Sequence, residues 1–138
     1  MPELPEVETI RSQLEKKTPF SIKTMELSKV VKSILKDREF NPEGKTISHI
    51  KRKGKLLNMH VDDNLHILSH LGMSGSWRIS KTKVTEKHTH VQFCGTDKNK
   101  KPLYLAYVDP RRFGYMYCLI EAGAQVHLDK FGVDIASL

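Results

Sequence analysis

Pro2 and Glu3 stand side by side at the start of the chain, in Met1-Pro2-Glu3-Leu4-Pro5-Glu6. With Met1 removed, Pro2 becomes a free secondary amine. A terminal amine has an ordinary pKa of about 8, against about 10.4 for lysine, so at neutral pH it carries a free lone pair far more often. It can attack an aldehyde-like carbon without a dedicated base. A secondary amine gives a cationic iminium directly, and that cation is an electron sink that lets a neighbouring C–O bond break by elimination. Glu3 is placed to give or take the proton such a step needs. The same stretch also reads as a helix entry, because proline suits the first helical position and acids suit the positive end of the helix dipole. That second reading accounts for Pro5, Glu6 and Glu8 but not for Pro2 and Glu3. With Met1 retained, Pro2 is an amide and the amine chemistry is closed.

Three further stretches carry chemistry. Lys51-Arg52-Lys53-Gly54-Lys55 holds four cations in five residues. It reads either as a solvated edge strand or as a phosphate-contacting one, and strand alternation would send Lys51, Lys53 and Lys55 to one face. In His70-Leu71-Gly72-Met73-Ser74-Gly75, two glycines flank Met73 and permit a tight turn, which would expose the methionine. In Asp109-Pro110-Arg111-Arg112-Phe113-Gly114, two arginines and an aromatic sit on a turn. An arginine that hydrogen-bonds and an aromatic that inserts between bases would together make a wedge for duplex DNA. A protein that extrudes a base leaves a hole that such a wedge fills.

The elements that must position these residues follow from the pattern. The chain has 138 residues, 28% charged and 38% hydrophobic, with 23 Lys and Arg against 16 Asp and Glu, a net charge of +7. This composition suits one globular domain, and the basic excess favours a polyanionic partner. Val7, Ile10 and Leu14 recur at helical spacing and predict a helix that stops before Thr18-Pro19. Beyond Pro19 the pattern is β, with strands expected at Ile22–Val31, Thr46–Arg52, Lys55–Val61, Leu65–Leu71, Ser76–Ile79, His90–Cys94, Leu103–Val108 and Tyr115–Ile120, and a hairpin loop at residues 95–99. The expected class is therefore mainly β, a sandwich or barrel with one N-terminal helix on its side or rim. Residues 131–138 show no strong pattern and read as a linker. Cys94 and Cys118 are expected as two buried thiols of a reducing compartment, although a disulfide between them is also open. No apolar run approaches a membrane span, and acids interrupt any leader-like segment. A bacterial cytoplasm or an organelle interior is the expected location.

The four stretches, in this order and at this spacing, resemble the formamidopyrimidine-DNA glycosylase family of base-excision enzymes. MPELPEVET is close to a family signature, and HLGMSG and DPRRFG point to the formamidopyrimidine type rather than its endonuclease VIII relatives. The resemblance covers essentially the whole chain but only the family's N-terminal domain, so the implied fold is that domain's two-sheet β-sandwich. Residues 1–130 would form the catalytic domain. Residues 131–138 would begin the linker to a helix-two-turn-helix and zinc-ribbon domain.

The resemblance implies specific roles. Pro2 would attack C1′ of the damaged nucleotide, Glu3 would protonate the sugar ring oxygen, and Glu6 would support the site through hydrogen bonds. Lys55 would lie near the damaged nucleotide and its phosphate, with Lys53 also facing DNA, and His70 would hold a phosphate. Met73, Arg111 and Phe113 would fill the void, Arg111 pairing with the orphaned cytosine, while Arg112 supports the loop or a phosphate. His88 and His90 match a family His-x-His that is structural or phosphate-facing. The implied activity is removal of oxidised purines such as 8-oxoguanine and formamidopyrimidines, followed by β,δ-elimination through a Pro2 Schiff base. The implied partner is damaged double-stranded DNA, bound by a monomer with no metal, no nucleotide cofactor and no membrane. Without the second domain, this chain is expected to bind DNA weakly and to excise little or nothing. The competing expectation is a non-catalytic DNA-binding β-module that keeps the wedge loops.

Overall fold

A computed structural model of the chain describes residues 4–36 and 40–138. Helix α1 spans Leu4–Glu15. Eight strands follow: β1 Phe20–Leu27, β2 Thr46–Lys53, β3 Leu56–Val61, β4 Leu65–His70, β5 Ser76–Ser80, β6 Thr89–Thr96, β7 Pro102–Val108 and β8 Tyr115–Ile120. A second helix, α2, spans Glu121–Asp129, and short 3-10 turns lie at Val31–Ser33, Asp62–Asn64 and Ile135–Ser137.

The mainly β class with an N-terminal helix holds, and its strands form one eight-stranded sheet in the order β5-β7-β6-β1-β2-β3-β4-β8, every pair of neighbours antiparallel. The seam between β1 and β2 is narrow: only Phe20↔Ile47 and Ser21↔Thr46 pair there. One buried cluster draws on all eight strands, with Phe20, Ile50, Leu57, Ile67, Trp77, Phe93, Tyr107 and Met116 among its members. β5 and β4 stand far apart in the sheet order, yet the indole N–H of Trp77 donates to Ser69 Oγ at 3.1 Å. The sheet therefore curves enough to bring β5 within hydrogen-bonding distance of β4.

Because β1 leaves β2 after two pairs, the second half of β2 has an open hydrogen-bonding edge, and α1 fills it. The Arg11 guanidinium donates to the Ile50 carbonyl at 3.1 Å, and the Ile50 N–H donates to the Glu15 carboxylate at 2.5 Å. Two side chains one helical turn apart thus take the place of a neighbouring strand. Glu8 bonds Arg11 and Arg52 together, which holds its carboxyl down at about 2, the Arg11 hydrogen bond contributing most. Val7 and Leu14 point into the core, as their spacing requires.

Four expectations need correction. β1 ends at Leu27 rather than Val31, and Val31 lies in a 3-10 turn. Gly95 belongs to β6 rather than to the following loop, since a Cβ there would overlap the Ser21 carbonyl of the adjacent strand. Lys55 does not alternate with Lys51 and Lys53. The pair Lys53↔Leu56 closes a two-residue turn of Gly54 and Lys55, with Gly54 at φ +58°. Helix α2 was not expected, because Gly123 weakens its local propensity. Packing supplies what propensity lacks: Ala124 and Leu128 bury against Leu56 and Leu68, on the outer face of β3 and β4.

The segment at residues 131–138 packs into that same outer cluster through Ile135 and Leu138. Nearby, His49, His60 and His66 stand opposite one another on β2, β3 and β4, with ring centroids 4.1 and 4.9 Å apart. Asn58 and His60 both reach the Leu138 carbonyl, and Asn58 Oδ1 accepts from His66 Nδ1. Cys94 and Cys118 are not joined in a disulfide; Cys118 is buried as expected, whereas Cys94 is only half-buried.

Glu15→Ala strips the Ile50 N–H of its acceptor and should cost about 1–3 kcal/mol, read from denaturant unfolding. Acid should also weaken the fold. Burial is the main cause holding His49, His66, His70 and His127 below the ordinary histidine value of 6.5. The folded state therefore disfavours their charged forms. The stability they contribute is complete above that value and is lost as pH falls towards their lowered folded values. The melting temperature should fall between about pH 7 and pH 5; a flat or rising curve would contradict this assignment.

Candidate nucleic-acid interface

The two glycine-bounded loops at residues 70–75 and 109–114 meet around one carboxylate. Asp109 is fully buried at the end of β7. Its Oδ1 accepts from the Ser74 hydroxyl at 2.5 Å and from Arg112 N–H at 3.0 Å. Its Oδ2 accepts from the Tyr107 hydroxyl and from Gly114 N–H, both at 2.9 Å. Ser74 Oγ in turn accepts from Arg111 N–H at 3.2 Å, tying the first loop to the second. Four donors on a buried carboxylate satisfy a charge that would otherwise be prohibitive to bury. Burial, reinforced by the Asp109 charge, raises the Tyr107 phenol far above its ordinary range, so it stays a donor.

The glycines allow this closeness. Gly72 has φ +61°, and a Cβ on it would lie 2.8 Å from the Phe113 carbonyl group. A Cβ on Gly114 would overlap the Tyr107 hydroxyl and crowd the His70 carbonyl, and one on Gly75 would meet that same hydroxyl. The two loops therefore pack backbone to backbone, and their large side chains turn outward. Phe113 is 54% exposed and Met73 38%. The Arg111 guanidinium lies over the Phe113 ring, 5.1 Å from its centroid. Arg112 is exposed and adopts φ +55°, held there by its bond to Asp109.

His70 closes the first loop. Gly72 N–H donates to His70 Nδ1 at 3.0 Å, so in the neutral ring the proton sits on Nε2. Burial, then the nearby Lys55, holds His70 below its ordinary range. The Lys55 carbonyl accepts from Leu71 N–H at 3.1 Å, which brings the β2–β3 turn alongside His70. Lys53 is exposed at the end of β2. Arg52 links that hairpin to α1 by donating to Glu8 at 2.9 Å and to the Gly54 carbonyl at 3.1 Å. Glu6 is exposed in the first turn of α1. Leu4, the first residue of α1, lies about 6 Å along the helix axis from Glu8. Pro2 and Glu3 themselves lie outside the described residues.

The two remaining histidines separate. His90 is buried, with Nδ1 bonded to Ser28 Oγ and Nε2 to the Asp109 carbonyl, both at 2.9 Å. His88 is exposed at φ +67°, and its carbonyl accepts from Asp109 N–H. Sequence reasoning took Asp109 for a turn residue and passed over Ser74 and Tyr107. The available signal was an acid between a buried strand and a cationic loop, where it needs donors. Among the described residues, no group of three or more His, Cys, Asp or Glu side chains is arranged to hold a metal ion, and no helix is long and apolar enough to cross a membrane.

Known proteins resemble this arrangement. A family model, Formamidopyrimidine-DNA glycosylase N-terminal domain, matches residues 1–116. Formamidopyrimidine-DNA glycosylase of Bartonella henselae is 37% identical over 97% of the chain and 51% of its own length. That of Syntrophomonas wolfei is 42% identical over 86% of the chain and 44% of its own length. Among solved structures, the complex of Lactococcus lactis Fpg with DNA containing an abasic site superposes with a TM-score of 0.79 and 32% identity, over 93% of this chain and 47% of that one. A complex of Lactococcus lactis Fpg (MutM) with Fapy-dG-containing DNA gives 0.78 and 31%, over 93% and 48%. The chain spans about half the length of the curated relatives it matches.

Asp109→Asn would turn an amide N–H₂ towards donors that need an acceptor. It should cost about 2 kcal/mol or more in unfolding experiments and broaden the NMR signals of both loops together. A loss confined to one loop would show that the carboxylate does not join them.

Proposed function

Because this chain belongs to the formamidopyrimidine-DNA glycosylase family, we propose that it is the DNA-facing, amine-bearing half of a base-excision glycosylase and AP lyase acting on oxidised purines. The observation that carries this reading is the pair of loops joined at Asp109, which presents Met73, Arg111 and Phe113 to solvent beside His70 and Lys55. An exposed aromatic beside an arginine offers a face that can insert between bases and a cation that can hydrogen-bond to them. Residues 1–130 form the catalytic domain in this reading, and 131–138 begin the passage to a second domain. The narrow seam between β1 and β2 supports treating the halves of the sheet as the two layers of a sandwich.

In the proposed mechanism, the neutral Pro2 nitrogen attacks C1′ of the damaged nucleotide. The C1′–N bond breaks and the base leaves with a proton. Glu3 protonates the ring oxygen as the sugar opens, and the nitrogen lone pair forms the iminium. Loss of a C2′ proton expels the 3′ phosphate, and a second elimination expels the 5′ phosphate. Glu6 supports this end of the helix by hydrogen bonding. Lys55, Lys53 and the neutral Nε2–H of His70 face phosphates, which tolerate neutral and cationic donors alike. Arg111 pairs with the orphaned cytosine, Met73 and Phe113 fill the gap, and Arg112 holds the loop or a phosphate. His88 is available to a phosphate, whereas the burial of His90 supports a structural role. The 138 residues alone supply one wall of the groove, so binding is weak and salt-sensitive and base excision is slight. The setting is a cell or organelle interior that holds DNA.

Borohydride reduction in the presence of an abasic duplex, with Met1 shown by mass to be absent, should trap a covalent adduct. Pro2→Gly should reduce that adduct sharply. Phe113→Ala should weaken it about tenfold by loss of stacking, which is worth about 1–3 kcal/mol per base. If correctly processed protein binds the duplex but no adduct forms, the alternative of a non-catalytic DNA-binding module stands instead.

A further inference from the structure

The imidazole of His70 is held from a side that the loop does not reach. His70 and Tyr115 are directly opposed across β4 and β8, and their rings lie face to face, with centroids 5.0 Å apart and planes 7° apart. Tyr115 meets His127 of α2 edge-on at 5.6 Å, its hydroxyl 3.4 Å from His127 Nε2. Tyr117 packs against His127 at 4.6 Å. His127 is buried, and its Nδ1 has no hydrogen-bond partner among the described residues. Its place is therefore set by ring packing more than by polar contacts.

We propose that Tyr115, braced by His127, is a positioning residue for His70: the stack fixes the imidazole plane so that Nε2–H, and not Nδ1, is presented to a DNA phosphate. This rests on the reading that His70 holds a phosphate. Rotation about the imidazole's χ2 is otherwise broad and roughly two-fold, and a flip would exchange the two nitrogens. The Gly72 N–H selects which nitrogen turns inward, and the Tyr115 face removes the remaining freedom of the ring. The titratable groups facing His70 are Lys55 from the β2–β3 turn, Tyr115 from β8 and His127 from α2. Burial, then Tyr117, raises the Tyr115 phenol, while burial, then Lys130 and His70, lowers His127. Tyr115 and His127 are thus both neutral near neutral pH and offer no anion to draw a second proton onto His70. The tyrosine covers one ring face from water, and His70 serves as a neutral donor.

NMR of the histidine rings and binding to a duplex carrying a tetrahydrofuran abasic analogue test this in the 138-residue chain. The unaltered protein should show His70 as the Nε2–H tautomer; an Nδ1–H tautomer overturns the proposal whether or not any variant folds. In Tyr115→Leu the His70 titration midpoint should climb towards the ordinary histidine range. Binding should weaken about three- to tenfold, the worth of an aromatic pair. Tyr115→Phe keeps the ring and should preserve both. A His70 midpoint in Tyr115→Leu equal to that of the unaltered chain overturns the proposal. His70→Ala separates the two layers: binding unchanged in that variant overturns the phosphate role, while the ring titration still judges the stack.

Discussion

A single buried carboxylate holds the candidate interface together. Asp109 takes hydrogen bonds from a hydroxyl of one loop, two backbone amides of the other and a phenol beneath both. These donors are already aimed at it by the strand ends, so little reorganisation is required. The exposed side chains follow from this centre. Gly72 and Gly114 let the two backbones approach, and the interior beneath them is filled by Tyr107. Met73, Arg111 and Phe113 have nowhere to go but outward. The arrangement gives a closely packed base for an exposed apolar and cationic tip.

The scaffold delivers the other half of the site by a different route. Strands β3 and β4 are buried on both faces, by the main core on one side and by α2 with the final residues on the other. That double burial makes the β2–β3–β4 meander a firm platform. Its turn carries Lys55, and the end of β4 carries His70. Helix α1 is tied to the same hairpin through Glu8, Arg11 and Arg52. Helix α1, the basic turn and the histidine thus belong to one structural unit, and the two glycine-bounded loops to the Asp109 centre next to it.

Much of this was legible in the amino acids, for identifiable reasons. Val7, Ile10 and Leu14 mark α1, because an amphipathic helix against a core needs that spacing. Strand existence was readable, since turn residues punctuate the apolar runs. Their ends were less so: Val31 continues the apolar pattern of β1 while its backbone has already turned. Helix α2 escaped because its stability comes from Leu56, Leu68, Ile135 and Leu138, residues distant in sequence or outside the expected element. In the site, the outward-facing residues were visible from the glycines beside them. Asp109 was not, because its importance lies in four partners that only the folded chain gathers. The turn at Gly54 and Lys55 shows the same limit, since alternation holds only while a strand continues.

Helix α1 occupies what would otherwise be a strand's open edge, and this has a consequence for the life of the protein. A chain whose helix comes undocked exposes the unpaired backbone of β2, the kind of template on which β-proteins aggregate. Helix α1 is therefore also a guard against self-association. Damage that dislodges α1 would favour aggregates over an otherwise folded monomer.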